Sequence, residues 1–130
     1  MAALSEKALE LLRGKNFAYV ATVNRDGAPQ VTPVWIDTDG TNILFNTAEG
    51  RLKTDNLRRD GRVSIAVSDP ENPYQYVSIK GRVKEMKTEG AKEHIDALAQ
   101  KYLNQTPYPF YQGETRVTVV IEPDKLGGMG

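Results

Sequence analysis

The stretch Phe17-Ala18-Tyr19-Val20-Ala21-Thr22-Val23-Asn24-Arg25-Asp26-Gly27-Ala28-Pro29-Gln30-Val31-Thr32-Pro33-Val34-Trp35-Ile36 decides the fold. Its first seven residues are rich in β-branched and aromatic side chains, which suit a pleated strand. Both alternating sets, Phe17/Tyr19/Ala21/Val23 and Ala18/Val20/Thr22, are fairly apolar, so this strand is expected to be covered on both sides. Asn24-Arg25-Asp26-Gly27 is a turn, because Asp-Gly readily adopts the positive φ of a tight reversal. A second strand is predicted from Gln30 to Ile36, a turn from Asp37 to Gly40, and a third strand from Ile43 to Thr47. Three strands joined by tight turns make an antiparallel meander.

Outward from the meander, Ser5 to Leu12 is predicted to be an amphipathic helix, with Leu4, Ala8, Leu11 and Leu12 on one stripe. Ser5 is its N-cap and Gly14 its stop. Downstream, Arg51 to Arg59 has the composition of a short helix, and Val63 to Val67 is a fourth strand with Val63, Ile65 and Val67 on one face. Asp69-Pro70-Glu71-Asn72-Pro73 is a rigid loop. A long fifth strand follows from Tyr74 to Lys87, with a bulge or bend at Gly81. Thr88 to Leu103 is the clearest helix, capped by Thr88 and buried along Ala91, Ile95, Leu98 and Tyr102. Gln105 to Gly113 is loop, and Arg116 to Glu122 is a last strand stopped by Pro123. The Gly127-Gly128-Met129-Gly130 tail is expected to be mobile. No repeat or linker interrupts the pattern, so residues 1–130 are expected to form one domain. Six antiparallel strands with helices packed outside predict a mostly β fold, a β-barrel with flanking helices.

Composition excludes several chemistries. There is no cysteine, hence no disulfide framework, thiolate zinc site or thiol nucleophile. A single histidine excludes a multi-histidine metal centre, so no metal site is expected. The 17 Lys+Arg balance 17 Asp+Glu, which argues against a general nucleic-acid binder. Apolar runs fall far short of the roughly 20 residues of a membrane span. The N-terminal residues lack the basic-then-apolar order of a signal peptide. The expectation is a soluble cytoplasmic protein with neither membrane nor nucleic acid as partner.

Three places could carry chemistry. In Thr47-Ala48-Glu49-Gly50-Arg51-Leu52-Lys53 a strand ends and a helix begins on two bases. Cations at a helix N-terminus are unfavourable unless an anion sits between them, which points to phosphate. From Arg51 to Arg62 there are five bases against two acids, a local +3 in a neutral chain. The competing reading is a solvated charged helix. The second place is Thr32-Pro33-Val34-Trp35. Pro33 donates no ladder hydrogen bond and belongs at an edge or gap, where a flat polar-edged ring could dock with Trp35 against it. The competing reading is an edge strand with Trp35 in the core or at a dimer contact. The third is the aromatic set Tyr74, Tyr76, Tyr108, Phe110 and Tyr111, which suits a pocket or an interface. His94 is expected to be a structural side chain on the outer helix, and no Ser/His/Asp or paired-carboxylate constellation is present.

In order along the chain, Gly27 to Trp35, Phe45-Asn46-Thr47, Gly50-Arg51-Leu52-Lys53-Thr54-Asp55-Asn56-Leu57 and Gly61-Arg62-Val63-Ser64-Ile65 together resemble the pyridoxamine 5′-phosphate oxidase-like split barrel. The set is most similar to the deazaflavin-dependent reductase branch of that family. The resemblance implies a six-stranded antiparallel split β-barrel homodimer, with two cofactors at the subunit interface, binding coenzyme F420 or FMN. It implies that the backbone at Thr32, Pro33, Val34 and Trp35 runs along the ring system. Asn46 and Thr47 would line the cofactor chain, Arg51 and Lys53 would hold its phosphate, and Asn56 would support that loop. Tyr74, Gln75 and Tyr76 match a segment that approaches the cofactor. Arg58, Arg59 and Arg116 would offer extra bases to the acidic tail of the deazaflavin. The chain lacks the C-terminal aromatic and Arg extension of pyridoxamine oxidases, so that activity is not expected. Haem binding, seen in some members, is not supported by the placement of His94.

The expected function is hydride transfer between reduced F420 and a small organic acceptor. The cofactor would carry the chemistry, which explains the missing catalytic constellation. Tyr76, Tyr111 or water are the candidates for a protonating group. The alternatives are an FMN-dependent oxidoreductase and a non-catalytic flavin or deazaflavin carrier; a small barrel binding single-stranded nucleic acid would need a basic groove with stacking aromatics.

Overall fold

The computed structural model describes residues 2–129. Six strands, β1 (Phe17–Val23), β2 (Pro29–Thr38), β3 (Ile43–Ala48), β4 (Arg62–Asp69), β5 (Asn72–Lys87) and β6 (Arg116–Met129), form a closed barrel in the order β1-β2-β3-β6-β5-β4. Every neighbouring pair is antiparallel, and β4 returns to β1 to close the ring. Three helices flank it: α1 (Glu6–Arg13), α2 (Leu52–Arg59) and α3 (Ala91–Leu103). None is long and apolar enough to cross a membrane.

The period-two pattern sets the barrel interior. Ala18 and Val20, Ile43 and Phe45, Val63, Ile65 and Val67, Val77 and Ile79, and Val117, Val119 and Ile121 are all buried in one core. The α1 stripe of Ala8, Leu11 and Leu12 joins it. Because α1 touches β2, β4 and β5, it lies across one barrel opening. Ser5 Oγ accepts from the N–H of Ala8 at 3.1 Å, the expected N-cap. On the outside, α3 covers the β3–β6 face and buries Ala91, Ile95, Leu98 and Tyr102 as their spacing predicted. The Tyr102 hydroxyl accepts from the Ile36 N–H at 3.0 Å and lies 2.6 Å from the Asn16 carbonyl oxygen. Nearby, Lys101 Nζ donates to the carbonyls of Leu12 and Ile36, tying α1, β2 and α3 together.

Four expectations are corrected. The last strand does not stop at Pro123 but continues to Met129, pairing with β5 up to Tyr76. Pro123 is tolerated because it faces Gly81, where the register shifts and no regular ladder bond is lost. The residues 127–129 are therefore strand, drawn in by β5; Gly130 lies outside the described residues. Asn72 and Pro73 already belong to β5 rather than to the loop before it. Thr88 does not cap α3: Gly90 holds the N-cap position at φ +79°, with no side-chain cap. Beyond these four, the outer face of β1 is left open by its own chain. Phe17 is 56% exposed and Tyr19 52%, beside Val31 at 62% on β2.

Candidate functional site

The barrel is nearly split between β2 and β3. Only Ile36 to Thr38 pair with β3, so β2 from Pro29 to Trp35 has a ladder partner on the β1 side alone. Pro33 sits in this gap, as its missing N–H requires. The gap opens into a cleft of about 210 Å³. Pro33, Val34 and Trp35 from β2, Asn46 and Thr47 from β3, and Arg51 and Lys53 at the start of α2 all line it.

Three cations converge here: Arg51, Lys53 and Arg116, and no carboxylate is among the lining residues. Burial pushes the Lys53 amine below its ordinary range, and the charges of Arg51 and Arg116 push it further. Among the described residues neither Arg51 nor Lys53 forms a salt bridge. Arg51 is also the N-cap of α2 and supplies no side-chain cap, so the positive end of that helix carries no capping side chain. An anion between these groups would relieve their mutual repulsion.

Arg116 is the most constrained of the three, with only 7% of its surface exposed. Its Nε donates to Asn46 Oδ1 at 2.9 Å and its Nη1 to Glu114 at 2.9 Å, and its guanidinium lies 5.4 Å from the Tyr108 ring centroid. The Asn46 amide is fully engaged: its nitrogen donates to the Ala91 carbonyl at 2.9 Å and faces His94 Nδ1 at 3.1 Å. Asn46 thus acts on the cleft through Arg116. Thr54 donates its hydroxyl to the Ala48 carbonyl, so the hydrogen between Thr47 and Thr54 comes from Thr47.

The rest of the lining is largely apolar. Trp35 stacks on Tyr102 at 5.3 Å and meets Tyr108 edge-on at 5.9 Å, so one face of the indole is already taken by the core. Phe17, Ile95, Leu98 and Phe110 complete the lining. Spacing alone could not foretell these contributions from β1, α3 and the loop before β6. Their only sequence signal was the aromatic density of residues 108–111.

The other predicted residues lie elsewhere. Thr32 is one residue from the lining, and its buried hydroxyl has no partner among the described residues. Asn56 sits behind the cleft, where its amide donates to Thr22 at 3.0 Å and Asn24 at 2.8 Å and pins α2 to β1. Tyr74, Gln75 and Tyr76 lie at the β4–β5 hairpin and do not line the cleft. Tyr111 does not line it either; Lys92 stands over its ring at 4.8 Å. Of the extra bases, only Arg116 is in the cleft. Arg58, paired with Glu49, and Arg59, bonded to the Val23 carbonyl, line a groove of about 550 Å³ with Arg25. A hollow of about 580 Å³ at the start of α3 mixes Lys84 and Lys87 with Asp39, Glu85 and Glu89 and has no such unbalanced charge.

Solved structures share this fold. A protein named F420 Reductase has a similar structure, with a TM-score of 0.83 and 29% identity over 91% of this chain and 94% of its own. Two further structures share the fold. A conserved hypothetical protein of Mycobacterium tuberculosis has a TM-score of 0.76 and 24% identity, over 96% of this chain and 84% of its own. General Stress Protein 26 of Bacillus anthracis has a TM-score of 0.72 and 15% identity, over 95% of this chain and 92% of its own. The family model described as Pyridoxamine 5′-phosphate oxidase matches residues 4–127, and this chain, with its split barrel and cation-lined cleft, belongs to that family.

Proposed function

We propose that this chain is an oxidoreductase that moves a hydride between reduced coenzyme F420 and a small organic acceptor. The observation that carries the reading is the convergence of Arg51, Lys53 and Arg116 on an otherwise largely apolar cleft without a lining carboxylate. Phosphate suits the cations, and a flat ring suits the unpaired β2 edge from Thr32 to Trp35. When bound, the cofactor supplies the hydride chemistry. The chain's own residues bind, orient and exclude water. Arg51 and Lys53 hold the phosphate with Arg116 beside them, Thr47 lines the cofactor chain, and Asn56 keeps α2 in place. No catalytic acid is assigned.

We further read the working unit as a homodimer. The cleft of one chain is smaller than the roughly 300–1,000 Å³ of a small-molecule site. Exposed Phe17, Tyr19 and Val31 adjoin small residues, Ser64 and Ala66, on the neighbouring strand β4. This apolar strip is suited to a second copy of the chain, whose Tyr74, Gln75 and Tyr76 would then complete the site.

The 29% identity to the protein named F420 Reductase favours F420. FMN is the second reading, since the same cradle suits its phosphate. Calorimetric titration with both cofactors tests the site: saturable binding is expected, about tenfold to hundredfold weaker in Lys53→Ala for loss of a charge-assisted contact. Unchanged affinity for both cofactors in Lys53→Ala overturns the assignment. Oxidation of bound reduced cofactor by added acceptors is expected; tight binding without turnover under every acceptor tried would make the chain a carrier.

A further inference from the structure

We propose that His94 is a positioning residue for the cleft: its neutral ring fixes the Asn46 amide, which holds Arg116 toward the cleft, and protonation of that ring lets Arg116 go. This rests on reading the cleft as an anion site. The argument starts from the amide. Arg116 Nε–H can only donate and the Ala91 carbonyl can only accept, so the two ends of the Asn46 amide are assigned by chemistry. Its nitrogen therefore faces His94 Nδ1, and that ring nitrogen must offer a lone pair. Thr118 Oγ1 lies 3.4 Å from the same nitrogen. The proton of the neutral ring is then on Nε2, which is buried without a partner among the described residues.

Protonation would place N–H against N–H₂. Turning the amide over would relieve that clash, but it would set N–H₂ against Arg116 Nε–H and oxygen against the Ala91 carbonyl. With the amide turned over, Arg116 loses Asn46 and keeps only Glu114 on its Nη1 side. The surroundings hold the ring neutral. Burial lowers the tendency of His94 to take a proton, Asp37 on β2 opposes this, and Lys87 on β5 adds to it. Asp39 after β2, Lys84 and Glu85 on β5, and Glu89 before α3 line the same hollow. Adding a positive charge near an anion site would ordinarily tighten binding on acidification. The Asn46 link predicts the opposite sign, which makes it testable.

His94→Asn keeps an acceptor at the Nδ1 position and removes the titration. F420, with FMN in parallel, is titrated into wild type, His94→Asn and His94→Phe at about pH 8 and about pH 5. Any titration of the cofactor itself is common to all three and cancels in the ratios. At the higher pH, His94→Asn is expected within about twofold of wild type, and His94→Phe about tenfold weaker. On acidification, wild type is expected to lose about tenfold relative to His94→Asn. Equal pH dependence in wild type and His94→Asn, or tighter wild-type binding in acid, overturns the proposal. Side-chain nitrogen resonances of the ligand-free protein give a second readout. The Asn46 amide is expected to shift with the His94 titration, and an Nδ1–H tautomer at high pH overturns the proposal. Failure of both cofactors to bind at the higher pH would sink the anion-site reading, while these resonances would still decide the role of His94.

Discussion

Two seams of the barrel differ in kind. The β5–β6 seam is laddered from Tyr76 to Lys87, whereas the β2–β3 seam pairs only from Ile36 to Thr38. The first seam uses glycine to bring backbones together: a Cβ at Gly81 would lie 2.5 Å from the Glu122 carbonyl oxygen, and one at Gly128, at φ +118°, 2.6 Å from that of Tyr76. The second leaves a strand edge unpaired and gathers cations beside it. A barrel closed firmly on one side can leave the other side open for a ligand. With the cleft as the proposed binding site, stability and binding would fall to different seams.

The sharpest way to break that division is to replace Arg51 and Lys53 together by alanine. Cofactor affinity should fall at least about 100-fold, from two charge-assisted contacts of roughly 1.5–3 kcal/mol each. The thermal midpoint should hold or rise, since like charges are removed; quenching of Trp35 emission and a melting curve read the two effects. Gly81→Ala is the converse. It should lower unfolding free energy by about 1–3 kcal/mol through overpacking, seen in a denaturant titration, and leave the affinity of the folded protein intact. A large loss of affinity there would erase the distinction between the seams.

Asn56→Ala should cost about 1–2 kcal/mol, because Thr22 and Asn24 lose a buried donor, with less effect on affinity than Lys53→Ala. A smaller effect is set by pH. The unfolded chain takes a proton on His94 near its ordinary value of 6.5, whereas burial makes the native ring resist it. Stability is therefore full above that value and declines as pH falls below it. His94→Asn should flatten that slope in melts across pH. Smallest of all, Arg58→Ala removes an exposed pair with Glu49 and should change stability by no more than about 0.5 kcal/mol. A marked loss of F420 affinity in this variant would instead extend the binding surface beyond the cleft to the Arg25 groove.

Much of the barrel was legible because its signals are local. Alternation in Val63, Ile65 and Val67, the 3.6-residue spacing of Ala91, Ile95, Leu98 and Tyr102, and the Asp26-Gly27 turn each act within a few residues. Pro33 announced the gap for the same reason, since its missing N–H is a property of the residue itself. The extension of β6 past Pro123 was not legible, because the opposite strand supplies the bulge that admits it. The exposure of Phe17 and Tyr19 within one chain was not legible either, because apolarity says that a face seeks cover, not whether its own chain provides it.

The same line divides the site. By itself, the sequence determined that two bases stand at the start of α2, that an unpairable proline precedes the only tryptophan, and that no thiol or histidine cluster exists. Only the tertiary structure decided that Arg116 joins Arg51 and Lys53, that Tyr102 takes one face of Trp35, and that His94 reaches Arg116 through Asn46. Residue chemistry and short-range spacing are written in the chain, but charges far apart in sequence meet only where antiparallel pairing and the packing of α3 bring their strands together.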